Sequence, residues 1–315
     1  MIPRATSLAF GNLSEAEPMH KIVPCLWFDQ QAVEAARFYA SVFPKSKVGR
    51  KSYYDEESSK PSGMKPGTVL TVSMTLMGQD FMAMNGGPVF KFSEAVSFFV
   101  HCRTAREVDR IFKKLSHKGE IMMPLGSYPF SERYAFFKDR FGVAWQVMLS
   151  KDKPHITPCL LFVGKSLGKA EAAARYYAAV FKRSRIRTMS LYKKGEDGKP
   201  GTVKFSSFLI EGQEFAAMDG AGPHKFAFNE SISFVVNCKT QAEVDYYWKK
   251  LTKGGKVVQC GWLKDRFGVS WQVVPTILDE MLMDKDPEKA LRVMAAMLKM
   301  KKIDIAALKK AYEGK

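Results

Sequence analysis

The chain has 315 residues, and its 49 Lys and Arg against 32 Asp and Glu give a formal net charge of +17. The apolar and charged fractions are ordinary for a globular protein, and no stretch approaches the about 18 apolar residues that a membrane-spanning helix requires. Residues 1–19 lack the apolar core of a signal peptide, so we expect a flexible N-terminal extension on a cytoplasmic protein.

Apolar periodicity predicts two modules in residues 20–150, each with the order strand, helix and three strands. In the first module Asp29 is the expected N-cap of the helix, and the predicted elements are 22–28, 32–43, 48–54, 70–76 and 81–84. In the second module they are 95–102, 105–115, 120–123, 135–138 and 143–149. The segment 124–132 contains Gly and Pro and predicts a projecting loop.

The same order then recurs, which indicates one domain plan present twice. Residues 138–147, KDRFGVAWQV, return as KDRFGVSWQV at 264–273, and Gly78-Gln79 returns as Gly212-Gln213 after 134 residues (212 − 78). A period of about 130 residues matches a small domain rather than a solenoid unit. We therefore predict domain 1 over residues 20–150 and domain 2 over 154–275, joined by a linker too short for independent tumbling.

Residues 276–315 depart from the repeat and predict a helical tail. Asp286 precedes Pro287, which is the usual order at a helix start, and this helix is expected to run to about residue 300. Asp304 can cap a second helix over 305–312, which Gly314 would end. The apolar stripe of the tail is flanked by lysines, and we expect it to pack on its own domain rather than on a membrane.

Charge and cysteines add little chemistry. The positive field favours anionic partners, but no nucleic-acid-binding motif accompanies it, so we expect no specific nucleic-acid partner. The pairs Cys25/Cys159 and Cys102/Cys238 recur inside apolar runs, which is typical of buried structural thiols. The sequence contains no Cys-x-x-Cys pair that would indicate a zinc or redox motif.

Several segments resemble the PhnB-like branch of the vicinal oxygen chelate superfamily, which includes glyoxalases, bleomycin-resistance proteins and dioxygenases. The segments are IVPCLWF (22–28), NGGP (85–88), PFSE (129–132), KDRFGVSWQ (264–272) and the tail 286–308. The resemblance covers 20–313 and implies an α+β fold of tandem glyoxalase-like domains. Each domain would contain two βαβββ modules forming a curled mixed sheet, followed by C-terminal helices. It also implies an intramolecular pseudo-dimer of the two domains, with a higher oligomer left open.

Members of this branch often carry the label 3-demethylubiquinone-9 3-methyltransferase, and the sequence gives that activity little support. A doubly wound methyltransferase needs a glycine-rich turn after its first strand. The corresponding turns here are Asp29-Gln30-Gln31 and Val163-Gly164-Lys165-Ser166, and neither has the required spacing.

Metalloenzymes of the superfamily hold a divalent ion in the cup of the sheet, mainly with His and Glu. The matching positions are Lys21, Met84, Ala95 and Gln146 in repeat one, and His155, Met218, Ser231 and Gln272 in repeat two. A neutral amide is a weaker donor than the expected carboxylate, and His155 is a single weak candidate. The sequence therefore predicts no cofactor and makes a divalent metal improbable.

Gln146 and Gln272 hold positions that point into the cup in relatives, and a buried amide needs hydrogen-bond partners. The other pocket candidates are Trp27, Tyr39, Asn85, Phe130 and Tyr134 in repeat one, and Tyr177, Asp219, Cys260 and Trp262 in repeat two. An aromatic concavity with a few amides is typical of a small-molecule site. The alternative is that these side chains simply fill the cup.

No catalytic residue can be assigned, because no Ser-His-Asp, Cys-His or paired-carboxylate arrangement can be placed. The leading hypothesis is a protein that binds an organic small molecule without a tightly held metal, and the positive charge would suit an anionic ligand. One alternative is an enzyme, either a metal-dependent lyase, isomerase or dioxygenase, or a methyltransferase. Another is a non-catalytic interaction protein.

Overall fold

The computed structural model describes residues 20–315, so the predicted flexible extension at 1–19 lies outside the described residues. Repeat one contains these elements in chain order: β1 (Ile22–Phe28), α1 (Ala32–Val42), β2 (Lys47–Tyr53), α2 (Glu56–Ser62), β3 (Val69–Leu76), β4 (Gln79–Asn85), β5 (Val96–Cys102), α3 (Ala105–Leu115), β6 (Glu120–Tyr128), β7 (Ser131–Lys138) and β8 (Ala144–Leu149). The strands and the two long helices match the prediction, and α2 is an element that the periodicity did not indicate.

Repeat two has the same order of strands, with a shorter β14–β15 hairpin and without a counterpart of α2 among the described residues. Its elements are β9 (His155–Phe162), α4 (Ala170–Val180), β10 (Arg185–Leu191), β11 (Val203–Ile210), β12 (Gln213–Asp219), β13 (Ile232–Cys238), α5 (Gln241–Thr252), β14 (Lys256–Val257), β15 (Trp262–Lys264) and β16 (Ser270–Pro275). The tail adds α6 (Ile277–Leu282), α7 (Pro287–Leu298) and α8 (Ile305–Glu313). Asp286 and Asp304 cap α7 and α8 as predicted, and α6 was not predicted.

The strands form two eight-stranded mixed sheets, and together with the helices they confirm the predicted α+β class. Sheet A has the order β14-β15-β16-β13-β1-β4-β3-β2, and sheet B has the order β10-β11-β12-β9-β5-β8-β7-β6. Each sheet therefore takes one module from each repeat. Antiparallel pairs join the modules, β1 with β13 in sheet A and β5 with β9 in sheet B.

This exchange of modules agrees with the short linker between the repeats. Strands β8 and β9 both pair with β5, so the chain only has to pass across one strand between residue 149 and residue 155. The two modules of one repeat consequently lie in different sheets, and the two repeats are held together by backbone hydrogen bonds at both junctions. Such pairing removes four potential edge strands from solvent.

Helices α1, α3, α4 and α5 pack on one face of each sheet and close a continuous apolar core. Helix α1 buries Ala32, Ala35, Ala36, Tyr39 and Val42, which is the spacing of a single helical face. At its end Tyr39 donates a hydrogen bond to Asp139 (2.6 Å), and Asp139 also accepts one from Trp145 (2.8 Å). Repeat two contains the same buried set, formed by Tyr177, Asp265 and Trp271.

Two local predictions are corrected. The segment 124–132 is a continuation of the β6–β7 hairpin rather than a projecting loop, since strand pairing reaches Tyr128 and Ser131. Register shifts along this hairpin accommodate its Pro and Gly residues. Asp29 does not cap α1, because the backbone N–H of Ala32 donates instead to the side-chain oxygen of Asn85 (2.8 Å). Within residues 20–315, no helix has the length and apolarity needed to cross a membrane.

Candidate functional site

A cleft lies on the concave face of sheet A, opposite the face that carries the helices. Its volume is about 350 Å³. Strands β1, β3 and β4 of repeat one form one side, β13 and β16 of repeat two form the other, and α6 and α7 of the tail close it. We call this cavity the sheet A cleft.

The wall of the sheet A cleft is largely apolar and rich in methionine. Six methionines line it, namely Met74, Met82, Met84, Met283, Met294 and Met297. Methionine side chains are flexible and polarisable, so such a wall can adapt to ligands of different shape and contacts aromatic rings favourably.

Gln272 is the central amide of the cleft wall. Its side-chain nitrogen donates to Ser233 Oγ (3.0 Å), and the residue is only 8% exposed. Among residues 20–315 its carbonyl oxygen has no hydrogen-bond partner, although the residue lines the cleft. Within the described residues this oxygen is not among the fully buried polar atoms that lack a partner, so it is open to the cleft and available to a ligand or to water.

The charged side chains that line the cleft, within the described part of the chain, are two carboxyls. Asp80 is hydrogen bonded to His20 (2.8 Å) and Thr75 (3.1 Å). Burial opposes ionisation of Asp80, but these bonds lower its pKa overall. Burial raises the pKa of Asp279 at the start of α6, and nearby Arg50 offsets part of that rise.

On the concave face of sheet B, aromatic and methionine side chains pack against one another. Its buried cluster consists of Phe99, Tyr134, Cys159 and Ala216, with Met123, Tyr128, Phe136, Met148 and Met218 packed against them. Gln146 occupies the position equivalent to Gln272. Its nitrogen donates to Ser97 Oγ (2.8 Å) and its carbonyl accepts from the Tyr134 hydroxyl (2.6 Å), so both ends of the amide are satisfied.

A family model described as 3-demethylubiquinone-9 3-methyltransferase matches residues 20–148 and 154–274. The chain belongs to this family. The predicted resemblance to the PhnB-like family is thereby confirmed. No curated protein matches the chain.

Two solved structures are similar to this chain. The chain is 39% identical to the PhnB protein from Bacillus cereus over 43% of this chain and 100% of that one, with a TM-score of 0.37. Glyoxalase I from Zea mays is 11% identical over 80% of this chain and 90% of that one, with a TM-score of 0.52. The second likeness shows the fold alone.

In this PhnB-like chain the eleven predicted pocket residues separate into four groups. Gln272, Cys260 and Trp262 line the sheet A cleft. The concave face of sheet B carries Gln146, Tyr134 and Phe130. Phe130 lies at the hairpin tip, is 59% exposed and packs on the Tyr134 ring (4.8 Å between ring centroids). Trp27 lies beside Trp262 (5.9 Å between ring centroids) and donates to the Gly87 carbonyl (2.9 Å).

The remaining four predicted residues do not reach either concavity, and their structural roles explain why. Tyr39 and Tyr177 are fully buried under the helices, where each donates to a buried aspartate. Asn85 accepts from the first backbone N–H of α1 and donates to the Val69 carbonyl. Asp219 accepts from Gly168 and Val203 backbone N–H groups (2.7 and 2.8 Å).

The residues at the superfamily's metal positions do not fit a divalent ion. The sheet A cleft brings Met84 and Gln272 to its wall, and a thioether and a neutral amide are weak donors for hard or borderline cations. Within residues 20–315, no group of three or more His, Cys, Asp or Glu side chains is placed to hold a metal.

His155, the single metal candidate, belongs to a surface group outside the cleft. Its Nε2 lies 3.2 Å from Glu214 and its Nδ1 lies 2.7 Å from the Lys153 carbonyl. Its ring stacks on His101 at 4.2 Å with an interplanar angle of 1°. Burial opposes protonation of His155, but the bonds to Glu214 and Lys153 raise its pKa overall.

Sequence reasoning missed the contribution of the tail to the site. Asp279, Met283 and Met297 line the cleft, yet only the apolar stripe of α7 indicated that this segment would be buried. The repeat could not point to them, because the tail occurs once in the chain.

Proposed function

We propose that this chain binds an organic small molecule in the sheet A cleft without a tightly held metal. The observation that carries the proposal is the contrast between two equivalent concavities. In sheet B the glutamine carbonyl accepts from Tyr134, whereas in sheet A the equivalent Gln272 lines the cleft and its carbonyl has no partner among residues 20–315. An apolar cavity with a few fixed polar groups is the usual form of a small-molecule site.

The lining argues for an uncharged ligand rather than an anionic one. The net charge of +17 belongs to the whole chain, whereas the charged groups at the cleft wall are the carboxyls of Asp80 and Asp279. A carboxylate near a buried anion raises the cost of binding that anion. The positive charge of the whole chain therefore does not indicate an anionic ligand for this cleft.

The experiment is ligand-observed NMR with a set of neutral aromatic fragments on the full chain. Met84→Trp should fill part of the cleft and weaken binding of the fragments at least about tenfold, a change of about 1.4 kcal/mol. Met218→Trp at the equivalent position of sheet B is the matched control and should leave binding unchanged. Equal binding by wild type and Met84→Trp would exclude the cleft as the site.

An enzyme is the second candidate, because Asp279 presents a carboxyl of raised pKa to the same cleft. Shifted carboxyls in cavities are frequent general acids or bases. The family description suggests the assay, namely methyl transfer from S-adenosylmethionine to a demethylated quinol. Turnover that is lost in Asp279→Asn and kept in Asp80→Asn would support catalysis. Turnover at the level of a protein-free control would argue against it.

A further inference from the structure

The two concave faces hold one glutamine each in the same structural setting. Gln146 pairs across its sheet with Phe136 on one side and Phe99 on the other, and Gln272 pairs with Trp262 and Val235. In both faces the amide nitrogen donates to a serine hydroxyl on the neighbouring strand, at 2.8 and 3.0 Å. The serines therefore fix the two carbonyl oxygens in equivalent directions.

The partner of that carbonyl is the point at which the two faces differ. In sheet B the oxygen accepts from the Tyr134 phenol at 2.6 Å. The residue 126 positions later (260 − 134), the interval that also separates the glutamines (272 − 146), is Cys260. Sheet A has therefore lost the phenol and kept the acceptor that bound it.

The surrounding chain prevents Cys260 from replacing the phenol. Its backbone is left-handed (φ 56°), and its N–H donates to the Met300 carbonyl (2.8 Å). Its thiol is directed at the Met297 carbonyl (3.7 Å), which holds it toward the tail. The space in front of Gln272 is left to the cleft, with methionine side chains as its walls.

We infer that the ligand of the sheet A cleft is a neutral phenol whose hydroxyl donates to the Gln272 carbonyl, as Tyr134 does to Gln146 inside the same molecule. This inference rests on the proposed function and specifies its ligand class. An aromatic ring suits the thioether walls, since sulfur contacts ring edges favourably. A hydroxyl donor pairs with the open carbonyl, and a neutral ligand avoids repulsion by Asp80 and Asp279.

Two probes test the inference, one with a hydroxyl donor and one in which a methyl group replaces the hydroxyl hydrogen. Calorimetric titration of the full chain with 4-propylphenol and 4-propylanisole should show the phenol binding about five- to tenfold more tightly, the ratio expected for one buried hydrogen bond. In Gln272→Leu this preference should fall to about onefold. In Gln146→Leu, the matched change in sheet B, it should persist.

Gln272→Glu serves as a second variant, because it keeps an acceptor oxygen at the same position and should retain the preference for the phenol. Equal affinities of the two probes for wild type would overturn the inference. A preference that survives Gln272→Leu would also overturn it and would assign the hydroxyl to another acceptor. If neither probe binds while the fragments distinguish wild type from Met84→Trp, the phenol class is wrong and the site stands. If Met84→Trp also has no effect, the proposed function itself fails.

Discussion

Asp139 is the centre of a buried hydrogen-bond cluster within the ten-residue segment 138–147, which recurs at 264–273. One carboxylate oxygen accepts from the backbone N–H groups of Phe141 and Val143 (2.8 and 3.1 Å), and the other accepts from Tyr39 and Trp145 (2.6 and 2.8 Å). A buried carboxylate is tolerated only with such partners. Residues of this segment therefore build the buried cluster on the helix-packed side of the sheet. Gln146, which follows Trp145, lies on the opposite, concave side.

His101 provides a pH-dependent test at the residue scale. Burial, together with the nearby His155, lowers the pKa of His101 to about 4, whereas an unfolded histidine titrates near pH 6.5. Between these values the unfolded chain holds a proton that the folded protein does not. The free energy of unfolding should therefore fall as the pH is lowered from about 6.5 to about 4.

Replacing His101 by Phe should remove this loss, so the wild type should lose up to about 3 kcal/mol more than the variant over that interval, at about 1.4 kcal/mol for each pKa unit. Urea unfolding at several pH values measures the difference. His117→Phe changes an exposed imidazole and should follow the wild type. Parallel curves for wild type and His101→Phe would contradict the assignment.

At the scale of elements, helices α6 and α7 of the tail close the sheet A cleft. Leu308 of α8 is fully buried in a cluster with Leu278, Val293 and Ile303, and this cluster holds the helices that line the cavity. Leu308→Ala should destabilise the tail by about 2–4 kcal/mol, while the sheets keep their stability. Ligand binding should weaken with it.

Hydrogen exchange measured by mass spectrometry would locate this change. Faster exchange is expected in α6, α7 and α8 of Leu308→Ala, with unchanged protection in β1 and β13. Lys309→Ala, an exposed neighbour, is the control. Uniform acceleration across both sheets would show that the tail is not a separate structural unit.

Elements and their pairing differ in how far the sequence predicts them. Strands and helices follow from local periodicity, so β1 and α3 were located to the residue. Gln272 was predicted to be a site residue because it lies near the end of the repeated segment 264–273. Asn85 and Asp219 were predicted to line a pocket, and each accepts a hydrogen bond from the first backbone N–H of a helix. A polar residue at a strand end gives the same sequence signal in either role. Only the tertiary contact distinguishes the two.

The exchange of modules could not be predicted for a related reason. Strands β1 and β5 are both short apolar runs, and their partners β13 and β9 are similar in length and polarity. Local sequence is therefore compatible with sheets that form within a repeat or across repeats. Pairing between distant strands is decided by the whole set of contacts rather than by periodicity.

At the scale of the molecule, we propose that neither repeat is an independent folding unit. Cutting the chain between residues 152 and 153 would leave each fragment with two half-sheets whose inner strands, β1 and β5 or β9 and β13, have lost their partners. Such exposed apolar edges associate. The fragment 20–152 should therefore form dimers or aggregates, and mixing it with 153–315 should give a 1:1 complex.

Light scattering coupled to size-exclusion chromatography measures the association, and near-ultraviolet circular dichroism reports native packing of Trp145 and Trp271. The complex should recover the wild-type spectrum, and it should bind the neutral fragments, because the sheet A cleft requires β4 from one fragment and β16 from the other. In a dimer of the 20–152 fragment, β5 of one copy would take the place of β13 beside β1 of the other copy, and Gln146 would take the place of Gln272. Both concave faces of such a dimer would come from repeat one, and the tail would be missing. A monomeric 20–152 fragment that unfolds cooperatively would contradict the proposal. It would show that β1 and β5 of one repeat can pair with each other and that each repeat folds as an independent domain.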